Sequence, residues 1–484
     1  MALDPLTPVL VGVGVAANLE GLEAVELMAL ALEAAAADAG GRGLLAALDD
    51  IAVPQGTWIY PDPARLVADR VGAARARTTL AGIGIAQQTL VNRALDSLAS
   101  GEAEVVAVVG GEAKRRALAA ERAGTVATDT VQAEGTHPDT ALHLPGGPAD
   151  LLDPAEIALG AYVPVQQYAM IENALRHAEG RTPAEAAGDI DDLWVRFNAV
   201  AGANPDAAFP AQVTTEGLQA ARPLAFPYRR WHSTQWGVDQ AAALICCSVG
   251  AARRLGVAPD RWVFPLAGLD SSFAAPLSHR RLLHRWPAMA VLGRAAADRL
   301  GRPLADLDLL EVYSCFPAAV RVQQRELALP LDGTPTLTGG MAFAGGPFNN
   351  FVFQATAALV GALRARGPAT GAVTTVSGIL TKPGLAVWSS DPDGQPPLRA
   401  DLAGPAAAAT DTLEVLVGYR GPATVATYTV TSTGPDPTRV LVLADTPGGA
   451  RVMAASDDPA LARLAVTEEL IGTAVGVEGQ GFTV

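Results

Sequence analysis

The pattern of apolar positions changes character several times along the chain. From Leu80 to Ala113 the sequence LAGIGIAQQTLVNRALDSLASGEAEVVAVVGGEA runs from a glycine-rich turn into a stretch with Leu90, Val91, Ala94, Leu95 and Leu98 at helical spacing, then into the apolar run VVAVV at 105–109. The spacing predicts a helix with one buried face, and the short β-branched run predicts a strand buried on both faces. Residues 339–378, GGMAFAGGPFNNFVFQATAALVGALRARGPATGAVTTVSG, repeat that order: glycine-rich turn, helix, Gly break, strand of small and β-branched residues. Paired amides stand at the first turn of each helix, Gln87 and Gln88 in one and Asn349 and Asn350 in the other. A second pairing joins LMALALEAAAADAGGRGLLAALDDIAVPQG (27–56) to VLGRAAADRLGRPLADLDLLEVYSC (291–315); each has an AAAD core, a Gly turn, L-A-x-L-D and a strand. Internal repetition on this scale predicts two β-α-β halves, a duplicated α/β domain with helices covering mixed sheets on both faces. Sites in such folds lie where the halves meet.

Between about 121 and 230 the periodicity loosens. This stretch includes DTALHLPGGPADLLDP (139–154) and a predicted helix carrying YAMIENALRHAEG (168–180), and it reads as an insertion over the active face. The run GVDQAAALICCSVGAARRLGV (237–257) returns to the first half. After SSDPDGQPPLRADLAGP (389–405), rich in turn residues, the runs LEVLVGY, ATVATYTVT, TRVLVLAD and ARVMAAS alternate in period two. They predict a small antiparallel β-barrel of about 70 residues. The boundaries expected are therefore 1–258 for the first half with its insertion, 259–405 for the second half, and 410–484 for the barrel.

Composition narrows the function classes. With 484 residues, half of them hydrophobic and 18% charged, the chain has the makeup of a folded globular protein with several cores. A net charge of −15 argues against nucleic acid or an anionic membrane as the main partner. Glu23, Glu26 and Glu33 interrupt the Ala/Leu-rich segment near the start, so no membrane span is expected. No basic segment followed by a long apolar stretch opens the sequence, and Cys246, Cys247 and Cys315 have neither disulfide nor metal spacing; reduced thiols and a cytoplasmic location are the expectation. His137, His143, His177, His232, His279 and His284 are scattered, and no metal site is expected. The segment VGVGVAANLEG (11–21) has Ala17 where a dinucleotide fingerprint needs its third glycine.

Two glycine-rich turns, each opening a helix, suggest a crevice where backbone N–H groups and partial positive charge meet a ligand. The turn at Ile83, Gly84 and Ile85 nevertheless offers no reactive side chain. The duplicated halves, the inserted segment and the string GGMAFAGGP together resemble the thiolase superfamily. VPVQQYAMIENALRH, PYRRWHSTQWGVDQAAALICCS, EVYSCFPAAV and GGPFNNFV resemble its sterol-carrier-protein-x-type, acetyl-CoA acetyltransferase-like branch, the thiolase-like type 1 proteins with an additional C-terminal domain. The resemblance implies a duplicated thiolase fold layered α/β/α/β/α, with CoA or an acyl-CoA as ligand. It also implies a homodimer paired through the sheet edge of the first half, or a monomer if the terminal barrel blocks that edge.

Carried over residue by residue, the resemblance places the nucleophilic cysteine position at Gly84, within one residue on either side. It aligns the Asn-Glu-Ala-Phe element with Tyr313, Ser314, Cys315 and Phe316, the Gly-His-Pro element with Gly345, Gly346 and Pro347, and the Cys-x-Gly cysteine with Val376 or Ser377. Covalent acyl transfer needs a nucleophile, a base and oxyanion donors, and losing nucleophile and base together removes a unit. Ordinary thiolase activity is therefore not expected. Tyr313 is the candidate acid or oxyanion donor, and Cys315 the candidate relocated nucleophile of an acyltransferase. Gly84, Ser314, Gly346, Asn349, Asn350, Ser377 and Lys382 are the candidate substrate contacts, Asn349 and Asn350 also as helix caps. Cysteine-less relatives that are aldolases make noncovalent carbon–carbon chemistry one alternative; a purely structural partner of another protein is the other.

Overall fold

The computed structural model describes residues 3–144 and 151–484, so the middle of the 139–154 stretch lies outside the described residues. The first sheet holds β1 (Pro8–Ala17), β2 (Asp50–Pro54), β3 (Arg77–Ala81), β4 (Val105–Ala113), β5 (Thr140–Leu142) and β8 (Asp239–Ser248), in the order β1-β8-β4-β2-β3-β5. Between β5 and β8 the described residues of the insertion contribute the short strands β6 (Pro223–Ala225) and β7 (Tyr228–Arg229). The second sheet holds β9 (Phe264–Asp270), β10 (Leu309–Glu311), β11 (Thr370–Ser377), β12 (Lys382–Ser389) and β13 (Leu398–Asp401), ordered β10-β11-β12-β9-β13. Read from their first strands, β1-β8-β4-β2 and β9-β12-β11-β10 share one order and one set of directions, antiparallel, antiparallel, parallel. This is the duplication that the repeats announce.

The helices form three layers around these sheets. α1 (Ala24–Ala39) and α2 (Pro63–Val71) cover the outer face of the first sheet, whereas α3 (Gln87–Ser100) lies between the two. Val105, Ala107 and Val109 of β4 pack with α1, while Val106 and Val108 pack with Leu90 and Val91 of α3, so the apolar run is buried on both faces. The insertion carries α4 (Lys114–Arg122), α5 (Pro154–Ala158), α6 (Pro164–Ala178), α7 (Pro183–Ala201) and α8 (Thr215–Ala220). After β8 come α9 (Val249–Arg254), α10 (Pro287–Leu300) outside the second sheet, α11 (Pro317–Glu326) and α12 (Phe351–Arg366), which joins α3 in the central layer. Among the described residues no helix is long and apolar enough to cross a membrane.

The glycines of VGVGVAANLEG have a packing explanation. A Cβ at Gly12 or Gly14 would overlap the carbonyl oxygens of Ala35 or Ala31, so the two glycines let β1 lie directly against α1.

α13 (Ala403–Ala409) leads into the terminal domain of β14 (Val415–Leu416), β15 (Arg420–Thr433), β16 (Asp436–Asp445), β17 (Arg451–Ser456), α14 (Pro459–Ala465), β18 (Ala474–Glu478) and β19 (Gly481–Thr483). Strands β15, β16, β17, β19 and β18 close on themselves; the pairings are antiparallel except for the parallel seam of β17 with β19. Tyr428, Val430, Val442, Val452, Val477 and Phe482 fill the barrel, with α14 packed against it. The insertion and the barrel are not separate: β6 pairs with β15 at Ala225 and Thr431. Among the described residues no barrel strand pairs with the first sheet; β3 is paired instead by the three-residue edge strand β5 of the same chain, with Leu80 opposite Ala141.

Candidate functional site

At the junction of the halves, the N-terminal turns of α3 and α12 meet directly. Ser377 Oγ at the end of β11 donates to the Gly84 carbonyl at 2.9 Å. Gln87 Nε2 donates to Asn349 Oδ1 at 3.0 Å, and Asn349 Nδ2 donates to the Gln55 carbonyl at 3.2 Å. Gln87 Oε1 in turn accepts from the Val352 N–H in the first turn of α12, at 2.8 Å. The cap on α12 is therefore a side chain from the opposite half. This corrects the expectation for Asn350: its side chain makes no cap bond, and its buried amide has no partner among the described residues. Gly110 makes room for it, since a Cβ there would come within 2.8 Å of Asn350 Oδ1.

Beside this clamp opens a cavity of about 590 Å³, lined by residues from both halves and from the insertion. It brings together Gly84, Tyr313, Cys315, Gly346, Asn349 and Ser377 of the sequence-derived set. Ser314, Asn350 and Lys382 stand outside it. Ser314 is fully buried behind the wall, where its Oγ accepts from the Met341 N–H at 3.2 Å. Lys382 is carried inward by the pairing of β12 with β11. There it opposes, with Thr89 and Asn92, the burial that raises the Asp270 carboxyl.

Phe316 and several residues that sequence reasoning had not assigned to the site also line it, chiefly Tyr168 and Pro164 of α6, Leu224, Trp236 and Met341. Among the described residues no lining side chain carries a formal charge; the wall is mostly aliphatic and aromatic. Tyr168 stacks on Phe316 with ring centroids 4.6 Å apart, and its hydroxyl touches the Gly378 carbonyl and Leu380 N–H at 3.4 Å. Glu311, just before Tyr313, holds the turn behind the wall: its carboxylate accepts from the N–H groups of Leu337 and Thr338 and from the hydroxyls of Thr336 and Thr338. Burial raises this carboxyl to about 7 against those four bonds.

Burial likewise decides the state of the reactive candidates. It pushes the Cys315 thiol up to about 12, although Tyr168 and backbone N–H groups favour its thiolate. A thiol held there is protonated at neutral pH and a poor nucleophile. Burial first, then the neighbouring Cys315, raises the Tyr313 phenol, which remains a proton-bearing donor. Among the described residues the Tyr313 hydroxyl has no hydrogen-bond partner.

The two glycines that the thiolase resemblance aligns with catalytic positions have close neighbours behind them. A Cβ on Gly84, whose φ is +96°, would overlap Leu144 Cδ1 and approach Leu151 Cδ1 to 3.3 Å. One on Gly346 would overlap Thr234 Cγ2. Thr234 is fixed in turn, its Oγ1 donating to the Cys315 carbonyl at 3.0 Å. The remaining cysteines, Cys246 and Cys247, are buried packing residues on opposite faces of β8. His279 pairs with Asp153 at 2.7 Å, His232 with Asp191 at 2.9 Å and His177 with Glu469 at 3.2 Å; none lines the cavity.

Comparison with known proteins agrees with this geometry. Residues 405–481 match the family described as the thiolase-like protein type 1 additional C-terminal domain. Over 99% of both chains the fold is similar to the crystal structure of a monomeric SCP2-thiolase like protein type 1 from Mycobacterium smegmatis, with a TM-score of 0.84 and 26% identity. In fold and in its terminal domain the chain is similar to the thiolase-like proteins of type 1. An acetyl-CoA acetyltransferase of Methanocaldococcus jannaschii is 28% identical over 210 residues, 39% of this chain and 52% of that protein. The chain thus spans about half the length of this curated relative. The Ltp2-ChsH2(DUF35) aldolase shares the thiolase fold over 80% of this chain and 98% of its own, with a TM-score of 0.58 and 20% identity.

Proposed function

We propose that this thiolase-like protein binds an acyl-CoA noncovalently, the thioester and its acyl group entering the cavity, and that it does so without thiolase Cys/His chemistry in lipid or acyl metabolism. The observation that carries the reading is the neutral cavity beside Gly84 and Gly346, where Leu144 and Thr234 occupy the space that a nucleophile and its base would need. An uncharged apolar lining suits an acyl chain and excludes the charged phosphates, which stay in solvent. Tyr313 is the group placed to donate a hydrogen bond to a thioester carbonyl or to the enolate of a carbon–carbon cleavage. The protonated state of Cys315 favours this reading over acyl transfer through that residue. The pairing of β5 with β3 and the monomeric relative both favour a monomer.

Calorimetric titration with CoA, acetyl-CoA and a long-chain acyl-CoA tests the proposal, together with the intact mass of the protein after each incubation. The expected result is micromolar binding that tightens with acyl length and leaves the mass unchanged. A covalent acyl adduct lost in Cys315→Ser would replace it by acyl transfer; no binding of any of the three would replace it by the structural-partner reading.

A further inference from the structure

Among the described residues no barrel side chain lines the cavity, yet two of the insertion segments that form its outer wall are fastened to the barrel. α6 presents Pro164, Val165 and Tyr168 to the cavity. On its other side Thr427 Oγ1 donates to the Met170 carbonyl at 2.6 Å, Asn173 Nδ2 donates to the Tyr428 carbonyl at 3.0 Å, and Arg176 forks onto the Glu469 carboxylate at 2.7 and 3.1 Å.

The hairpin of β6 and β7 brings Leu224 to the cavity. Strands of three and two residues cannot hold a geometry alone. Here β15 completes them: the Phe226 N–H donates to the Val430 carbonyl at 2.8 Å, and Thr429 Oγ1 donates to the Phe226 carbonyl at 2.9 Å. Stacked rings then carry the contact inward, Tyr228 on Phe316 at 5.6 Å and Phe316 on Tyr168 at 4.6 Å.

We infer that the barrel is a positioning element for the cavity, with Thr427, Thr429 and Glu469 holding α6 and the 223–229 hairpin at the spacing the ligand requires while touching no ligand themselves. The inference rests on the cavity being a ligand site, as in the proposed function.

The test uses the full chain and the neutral fluorescent probe N-phenyl-1-naphthylamine, which needs no CoA moiety. Thr427→Val with Thr429→Val keeps side-chain shape and removes both hydroxyl donors. Probe affinity is expected to fall about tenfold, as losing two buried hydrogen bonds implies. The corresponding Thr→Ser pair is expected to restore it, with the melting of the α/β halves unchanged. Glu469→Gln, which frees Arg176 without deleting volume, is the second reading should the valine pair fail to fold. Exchange of the exposed barrel pair Arg420 and Glu478 for glutamines is the control expected to bind like the unaltered chain. Unchanged affinity in the valine pair and in Glu469→Gln overturns the inference alone. Absence of saturable probe binding by the unaltered chain overturns the cavity reading and this inference with it.

Discussion

Restoring the missing thiol is the sharpest test of how the site is closed. Gly84→Cys places a Cβ on Leu144 Cδ1 and holds an L-residue at φ +96°. A non-glycine residue in the positive-φ region costs about 1–3 kcal/mol, and forcing the Leu144 side chain off its rotamer adds about 0.5–1.5 kcal/mol. Leu144 is only partly buried and yields at its far end, so the sum lies near the middle of that range, about 2–3 kcal/mol. For a unit of roughly 250 residues this lowers the melting midpoint by about 4–12 °C. Gly84→Ala separates the backbone and steric cost from any effect of sulfur and is expected to show the same lowering. Calorimetry reads the midpoints, and intact mass spectrometry after acetyl-CoA reads acylation. No acetyl adduct is expected, because Gly346 supplies no base and Thr234 fills the place of one. An unshifted midpoint would refute the steric argument. Rapid acetylation of the thiol that Gly84→Cys introduces would refute the claim that the site has lost more than its nucleophile.

The other predictions concern groups whose state follows from burial. Tyr313→Phe removes the one unpartnered hydroxyl described on the wall and is expected to weaken acyl-CoA binding by about 3- to 10-fold without loss of stability, read by calorimetric titration. Native Cys315, its thiol held at about 12, is expected to resist iodoacetamide at pH 7.5 and to react fully only after unfolding, as mapped by peptide mass; rapid native labelling would mean an accessible thiolate. Glu311 binds its proton more tightly folded, at about 7, than unfolded, at about 4.3, so its contribution to stability is complete below the unfolded value and falls as pH rises toward 7. Glu311→Gln, whose amide still meets the Thr336 and Thr338 hydroxyls, is expected to flatten a decline of about 3 kcal/mol between pH 4.3 and 7. Urea denaturation across that interval checks it; an unchanged slope would place the pH dependence elsewhere.

Local chemistry made much of the fold readable. Leu90, Val91, Ala94, Leu95 and Leu98 are spaced for a helix and are buried as one, and VVAVV forms a strand packed on both faces. The two repeats map onto sheets of the same strand order, because a repeated pattern of apolar periods and glycine stops builds the same unit twice. The turn at Gly84 and the segment Tyr313–Phe316 meet at one cavity. Within that segment the resolution of sequence ended: Tyr313, Cys315 and Phe316 reach the cavity whereas Ser314 faces away, and in irregular backbone no period says which. Asn349 and Asn350 divide in the same manner, one clamped to Gln87 and the other turned toward Gly110.

The duplicated layers and the terminal barrel were thus written in the chain, since each depends on residue types and their spacing along one stretch. Three-dimensional packing was needed to set Leu144 against Gly84 and Thr234 against Gly346, to enclose the cavity with Tyr168 and Trp236, and to pair β5 with β3. Those contacts join segments far apart in the chain, and their energy resides in shape and burial that exist only once the halves, the insertion and the barrel have packed.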